Sequence, residues 1–166
     1  MSKLSDEWQT PIELFNYLDD KYRFFWDACC NMDNCLSGYQ KFNYSDDKYK
    51  DYLKNDMNEL FKDHGTDSRS IFMNPPYSNP GPFITKAWED AKHFKIVILV
   101  PTSILSCKYM DILDTRRNTY ERDWKRGVTV IPLNRRIQFV HPSKVKSSSP
   151  AGSMLLILDR RSDFNE

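Results

Sequence analysis

The amino-acid sequence predicts an α/β fold: a mostly parallel sheet covered by helices, with an antiparallel edge. Strand-like and helix-like patterns alternate through the first two thirds of the chain, which is typical of parallel strands joined by helical crossovers. Three short apolar runs then follow closely, and such spacing favours antiparallel pairing: 128–132, 137–140 and 154–158. The length of 166 residues fits a single domain with one hydrophobic core.

The first element is a helix predicted over residues 11–22. Thr10 is a good N-cap, Pro11 suits the first helical position, and Glu13 would complete a capping box with Thr10. Apolar residues recur at three-residue spacing and predict the buried face: Ile12, Phe15 and Leu18.

The remaining elements follow from apolar runs and turn residues. The pattern predicts a short strand over 23–28, with Asp27 at its end, and a second strand over 70–73. Between them lies a weakly patterned segment, 29–67, in which we expect loops with short elements. After the second strand the pattern predicts, in order, a helix over 82–93, a strand over 96–100 and a helix over 108–118.

Charge is unevenly distributed along the chain. The whole sequence carries a formal net charge of +1, so the overall charge does not indicate a nucleic-acid-binding protein. Residues 1–64 hold 13 acidic and 8 basic side chains, whereas residues 107–161 hold 12 basic and 5 acidic ones. A basic C-terminal part suits docking of a polyanion at one end, and ordinary charge scatter explains the same asymmetry almost as well.

Composition argues against membrane insertion and metal binding. No N-terminal stretch resembles a signal peptide, and the longest apolar run, 96–101, is far too short to cross a bilayer, so we expect a cytosolic protein. The four cysteines form no CxxC pair and the three histidines stand alone, so we expect no metal site. Nothing in the sequence indicates an oligomeric state.

The sharpest chemical signal is an Asn-Pro-Pro-Tyr motif at residues 74–77, directly after a predicted strand. Such a motif suits chemistry on an exocyclic amino group such as that of adenine. This group is a poor nucleophile, because its lone pair is delocalised into the ring. The Asn74 side-chain oxygen and the Pro75 carbonyl can each accept one amino hydrogen and so localise that pair. Pro75 and Pro76 have a fixed φ that holds these acceptors rigidly. Tyr77 can stack on a base swung out of a duplex.

A simpler interpretation of the motif stays open: the four residues could form an ordinary turn, because Asn and Pro are common in turns. The predicted strand before the motif and the predicted helix after it favour the catalytic interpretation.

Many short segments, in the same order along the chain, resemble those of the phage-type DNA N-6-adenine methyltransferase (Dam) family. They cover nearly the whole sequence, and their combination is far more specific than any one of them. The segments are residues 6–11, 25–29, 34–35, the surroundings of Asp56 and Leu60, 74–78, 82–84, 100–101, 136–139 and 153–154.

The resemblance implies a Rossmann-like methyltransferase domain that uses S-adenosyl-L-methionine and methylates adenine in double-stranded DNA, in the bacterial cytoplasm if the protein is phage-encoded. The cofactor contacts that it implies are Trp8, Thr10, Pro11, Asp27, Ala28 and Asp56. The catalytic residues that it implies are Asn74, Pro75, Pro76 and Tyr77. The DNA contacts that it implies are Ser78, Arg135 and Arg136.

Several of these residues have a purely structural alternative. Thr10 and Pro11 already make sense as a helix start, and Asp27 could cap the turn that follows its strand. Asp56 alone would be a solvated surface acid, and adjacent arginines near a strand are usually solvated as well.

One feature departs from methyltransferases at large, whose first strand usually runs into a glycine-rich loop. Here Asp27 is followed by Ala-Cys-Cys, and the first glycine after it is Gly38. The cofactor assignment therefore depends on the resemblance more than on local chemistry. We expect no separate target-recognition domain, so that role falls to residues 29–67 or 102–126.

Two other functions remain open from the sequence. The same tetrapeptide occurs in methyltransferases that modify cytosine N-4, RNA bases or glutamine side chains, because all of these present a planar amino nitrogen. The chain could also be a catalytically inactive DNA-binding or inhibitory module that kept the fold.

Overall fold

A computed structural model of the protein describes residues 9–30, 52–64, 67–117, 120–140, 146–148 and 152–163. The strands, in chain order, are β1 (Phe24–Asp27), β2 (Ser70–Met73), β3 (Lys95–Pro101), β4 (Val128–Pro132), β5 (Gln138–Val140), β6 (Lys146–Ser148) and β7 (Ser153–Leu158). All six predicted strands are confirmed to within one residue at each end. Strand β6 is an addition to the sequence-based expectations.

Five strands form the main sheet in the order β1-β2-β3-β7-β4, and β5 pairs with β6 in a separate antiparallel hairpin. Strands β1, β2 and β3 are parallel, as predicted. The predicted antiparallel edge is present: the edge strand β4 pairs antiparallel with β7, and β7 in turn runs against β3. Of the three runs predicted for this edge, β5 alone lies outside the main sheet. Every residue of β7 is buried, so this strand needs a neighbour on each side.

The sheet is covered on both faces, because alternate side chains of each strand point to opposite sides. On one face, residues such as Phe72 and Leu99 pack against the first helix and against β5. On the other face, residues such as Ile71 and Ile98 pack against the remaining helices.

The described residues form three α-helices: α1 (Ile12–Tyr22), α2 (Met57–His64) and α3 (Gly81–Asp90). Helix α1 is predicted correctly, but the capping box is wrong: Pro11 is the N-cap and no side chain caps the helix. Thr10 is instead buried in an extended segment whose Gln9 bridges to Val140 of β5. Ile12 is also not on the buried face; it is 48% exposed, because the first turn extends beyond the core.

Short 3₁₀ turns complete the fold at Tyr52–Lys54, Thr102–Ser106, Lys108–Leu113 and Arg161–Asp163. The predicted helix over 108–118 is wrong, because the chain leaves the turn at Asp114 to pair with Trp124. No helix among the described residues reaches the length and apolar character of a bilayer-spanning segment.

Candidate active site

The carboxyl ends of the parallel strands meet at one side of the sheet, which we call the carboxyl edge. Strand β1 ends at Asp27, β2 ends one residue before Asn74, and β3 ends at Pro101. Because β7 runs in the opposite direction, its first residue, Ser153, lies opposite Pro101 at this same edge. In open α/β sheets, ligands bind in the crevice outside the carboxyl ends of the strands. The carboxyl edge is therefore where a bound ligand is expected.

The ends of β1 and β2 are joined directly. Asp27 registers with Phe72, and the Ala28 N–H donates to the Phe72 carbonyl oxygen across 2.9 Å. Phe72 precedes Asn74 by two residues in the chain. The structure therefore brings Asp27 and Ala28, two predicted cofactor contacts, next to the start of the Asn-Pro-Pro-Tyr motif.

The motif leaves β2 and turns tightly into α3. Residues 74–76 have no regular secondary structure, and the Asn79 N–H donates to the Pro76 carbonyl across 3.2 Å. Helix α3 then begins at Gly81. A side chain at Gly81 would stand 3.2 Å from the ring of Tyr109, so glycine permits the helix to begin this close to the turns after β3.

Asn74 presents an acceptor that is shielded from water. The residue is half-buried, and its side-chain oxygen Oδ1 is buried from solvent. Pro75 is buried and Pro76 is half-buried, so packing reinforces the rigidity of the two rings. In such surroundings a hydrogen bond is stronger, because water does not compete for the acceptor.

Tyr77 packs against the core on the α1 side of the sheet. Its ring meets Phe139 of β5 edge-on, with centroids 5.8 Å apart and ring planes at 87°. The hydroxyl groups of Tyr77 and Ser153 are both buried, and neither makes a hydrogen bond of ordinary geometry among the described residues. Burial raises the pKa of Tyr77 well above its usual value, and the Ser153 hydroxyl offsets part of that rise. The phenol therefore stays neutral well above the pH at which an exposed tyrosine ionises.

Two predicted cofactor carboxylates lie in different surroundings. Asp27 is 4% exposed, at the carboxyl edge. Asp56 is exposed, and its carboxylate accepts the Asn58 N–H across 2.8 Å while its carbonyl accepts the Leu60 N–H across 3.2 Å. These bonds give Asp56 a capping role at the start of α2, and its cofactor role stays a prediction.

The predicted contacts near the N-terminus lie beside the β5 strand. Gln9 and Val140 exchange two backbone hydrogen bonds, of 2.8 Å and 3.2 Å. Thr10 is buried and Pro11 is half-buried at this junction. Trp8 lies outside the described residues.

The predicted DNA contacts are on the surface. A cavity of about 880 Å³ opens between the first turns of α1 and the connection from β4 to β5. Arg135 and Arg136 are exposed and line this cavity together with Pro11. Ser78 is exposed in the turn after Tyr77. One groove thus contains residues that the sequence assigns to DNA and to the cofactor.

Sequence reasoning missed the partners of Tyr77. Phe139 and Ser153 both lie within segments that carry the family resemblance, but they are far from Tyr77 along the chain. No local pattern pairs them with Tyr77, because such contacts arise from the packing of distant strands.

A second cavity, of about 680 Å³, lies at the opposite edge of the sheet. It is lined by residues that precede β2, β3 and β4, such as Arg69, His93 and Gly127, so it is remote from the motif. Over the described ranges, no three His, Cys, Asp or Glu side chains are grouped so that they could hold a metal ion.

A family of known proteins matches this chain along nearly its full length. The family model described as DNA N-6-adenine-methyltransferase (Dam) matches residues 1–164. A DNA N-6-adenine-methyltransferase of Haemophilus phage HP1 (strain HP1c1) is 30% identical over 108 residues. That match covers 64% of this chain and 56% of the relative, so the chain spans little more than half the length of the curated relative that it matches. The family match includes the Asn-Pro-Pro-Tyr motif and every other predicted site residue, and the chain therefore belongs to the DNA N-6-adenine-methyltransferase (Dam) family.

Proposed function

We propose that this protein transfers a methyl group from S-adenosylmethionine to the exocyclic amino group of adenine in double-stranded DNA. The observation that carries the proposal is the position of the Asn-Pro-Pro-Tyr motif at the carboxyl edge. It begins two residues after Phe72, whose carbonyl accepts the N–H of Ala28, next to the buried Asp27 at the end of β1. Membership of the Dam family supports adenine as the target base and DNA as the substrate.

Asn74 and Pro75 act on the nucleophile. The Asn74 Oδ1 accepts one hydrogen of the amino group and the Pro75 carbonyl accepts the other, which directs the nitrogen lone pair out of the plane of the base. Positive charge grows on that nitrogen during transfer, and fixed oxygens stabilise it. The buried position of Oδ1 supports this role, because a shielded acceptor needs little reorganisation.

The residues at the end of β1 fit a methionine-derived cofactor. S-adenosylmethionine supplies a methyl group on a positively charged sulfur, which is reactive toward nitrogen. Asp27 offers a buried carboxylate that suits the ammonium group of the cofactor, and Ala28 is small enough to let the cofactor approach the backbone. Thr10 and Pro11 complete the proposed contacts to its methionine part, with Trp8 and Asp56 assigned on the family resemblance.

Tyr77 stacks on the target base after the base leaves the duplex. The edge-on contact with Phe139 covers at most one face of the Tyr77 ring, and stacking on the base would use the other face. Base–aromatic stacking contributes about 1–3 kcal/mol per base. Because the hydroxyl is buried, this role uses the ring and not the phenol oxygen.

Arg135 and Arg136 bind the DNA backbone from the groove beside α1, and Ser78 binds next to the target base. The two arginines are exposed, as phosphate-binding side chains must be. This arrangement lays the duplex across the groove of about 880 Å³ that these arginines share with Pro11.

The test is methyl transfer from labelled S-adenosylmethionine to unmethylated DNA, RNA and protein, followed by mass spectrometry of the modified nucleosides. We expect N6-methyladenine in DNA. Asn74→Ala should lower the transfer rate about 100-fold or more, while the dissociation constant for the cofactor, measured by calorimetry, stays near that of the wild type.

The matched control is Asn79→Ala, which removes an exposed asparagine from the same turn. It should methylate DNA at the wild-type rate. N4-methylcytosine as the product, label in RNA or protein alone, or equal rates for Asn74→Ala and wild type would each overturn the proposal.

A further inference from the structure

A loop follows the 3₁₀ turns after β3, within one of the two segments, 102–126, to which the sequence analysis left target recognition. Its described residues are 115–117 and 120–123, which we call the Arg122 loop. The two ends of the loop are joined at its base. The Thr115 N–H donates to the Asp123 carbonyl across 2.8 Å, and the Thr115 hydroxyl donates to the Asp123 carboxylate across 2.6 Å.

Arg122 fastens this loop to the turns behind it. Its guanidinium donates to the carbonyls of Leu105 and Cys107, each across 3.0 Å. It also pairs with Asp111 at 2.6 Å and with Asp114 at 3.2 Å. The turns that contain these partners begin directly after Pro101, so Arg122 anchors the loop to the part of the chain that leaves the carboxyl edge.

The backbone at the start of the loop is also held. One carboxylate oxygen of Asp114 accepts the N–H groups of Arg116 and Asp123, across 3.0 Å and 3.2 Å. Arg116 has a φ of +57°, a left-handed conformation that is uncommon for a residue with a side chain. Such a conformation persists where its surroundings hold it firmly, and it is frequent at ligand-binding positions.

The tip presents an aromatic ring, two cations and one carboxylate, that of Glu121, to solvent. Tyr120 is 97% exposed. Arg117 is exposed, and no carboxylate among the described residues pairs with it. Arg116 pairs with Asp111 at 3.3 Å, yet its side chain is 69% exposed. These residues line a cavity of about 700 Å³ together with Leu105, which lies in the turn after β3.

We infer that Arg116, Arg117 and Tyr120 form a second DNA-binding surface, which contacts the duplex to one side of the target base. The guanidinium groups bind backbone phosphates, and the Tyr120 ring packs on a base or sugar at the groove. A braced loop suits this role, because little backbone freedom is lost on binding. The inference rests on the proposed function, since it takes DNA as the substrate.

The experiment measures the affinity of the full-length chain for a fluorescently labelled 30-base-pair duplex by anisotropy, between about 50 and 200 mM KCl. Arg117→Ala should weaken binding and reduce the slope of log Kd against log salt by about one. Tyr120→Ala should weaken binding about tenfold, whereas Tyr120→Phe keeps the ring and should bind like the wild type.

The matched control is Arg126→Ala, which removes an arginine that is 78% exposed and lies next to the start of β4, at the opposite edge. It should leave affinity and slope unchanged. Thermal melting of every variant separates lost binding from lost folding.

Wild-type affinity and slope in both Arg117→Ala and Tyr120→Ala overturn the inference, even if the wild-type protein methylates adenine. If the wild type binds DNA without methylating it, the proposed function fails, and the same variants still decide whether the tip binds DNA. A wild type that binds no DNA overturns both.

Discussion

The edge-on contact between Tyr77 and Phe139 joins the Asn-Pro-Pro-Tyr motif to a hairpin that lies outside the main sheet. The same hairpin strand, β5, pairs with Gln9 through its Val140. Tyr77 is thus oriented by a strand that also holds the N-terminal segment of the proposed cofactor site. A change in the packing of β5 should therefore affect both the stacking of Tyr77 on the target base and the binding of the cofactor.

Tyr77→Phe should not destabilise the protein. The Tyr77 hydroxyl is buried without a hydrogen bond of ordinary geometry, so its removal should leave the free energy of unfolding unchanged or raise it by up to about 1 kcal/mol. The control is Tyr52→Phe: the Tyr52 hydroxyl is buried and donates to Asp90 across 2.7 Å, so its loss should cost about 1–3 kcal/mol. Urea denaturation measures the free energy of unfolding of both variants. Equal losses would show that the Tyr77 hydroxyl makes a stabilising hydrogen bond.

Phe139→Leu should impair methyl transfer beyond its effect on stability. It removes the ring that orients Tyr77 and should lower the free energy of unfolding by about 1–2 kcal/mol. Phe94→Leu is a suitable control, since Phe94 is equally buried but packs against Phe25 on the opposite face. Both variants should lose similar stability, yet only Phe139→Leu should lower the transfer rate of the folded protein. Unchanged kinetics in Phe139→Leu would show that β5 does not orient Tyr77.

Asp27→Asn should weaken cofactor binding while the chain still folds. The substitution keeps the size of the side chain and removes the buried charge that suits an ammonium group, so we expect a loss of about tenfold or more in affinity. Calorimetric titration with S-adenosylhomocysteine measures it without turnover. Asp20→Asn, on the exposed side of α1, should bind like the wild type. Equal affinities in all three proteins would remove Asp27 from the cofactor site.

Acid should weaken the anchorage of the Arg122 loop. The N–H of Arg116 holds the pKa of Asp114 below its ordinary value of 3.8, and the Asp123 N–H and Arg122 lower it further. Because the folded pKa is the lower one, Asp114 stabilises the folded state at pH values above 3.8. That contribution disappears as the pH falls through the folded pKa.

To isolate this effect, the free energy of unfolding of the wild type and of Asp114→Asn is measured by urea denaturation at pH 7, 4 and 3. The wild type should be the more stable protein at pH 7, and the difference should be nearly as large at pH 4 and clearly smaller at pH 3. A difference that is constant across this range would mean that the Asp114 charge does not contribute to stability.

Gly127→Ala should destabilise the start of β4. Gly127 has a φ of +84°, and an added Cβ would lie 2.6 Å from the Asp159 carbonyl oxygen, which belongs to the backbone and has little room to move. We expect a loss of about 2 kcal/mol or more in the free energy of unfolding. Gly152→Ala is the control: its Cβ would meet Thr102 at ordinary contact distances of 3.5 Å and 3.7 Å, so thermal melting should show little change.

Local patterns were enough to locate the strands and the motif. The aliphatic run over 96–100 and the apolar run over 154–158 each predict a buried strand, and the bounds agree with β3 and β7. Steric preferences and side-chain periodicity act within a few residues, so a short window of sequence is enough to detect them. The same reasoning failed at residue 114, where pairing with a distant residue ends the turn that periodicity would extend.

The chemistry proposed for the Asn-Pro-Pro-Tyr motif follows from four consecutive residues, because the rigid rings and the acceptor oxygens are properties of the residues themselves. Long-range packing set everything around them: β7 inserted between β3 and β4, Phe139 brought against Tyr77, and Arg122 fastened beneath an exposed tip. These contacts join segments that are far apart in the chain. They form because burial of apolar area and pairing of polar groups are satisfied over the whole molecule at once, and no short window of sequence contains that information.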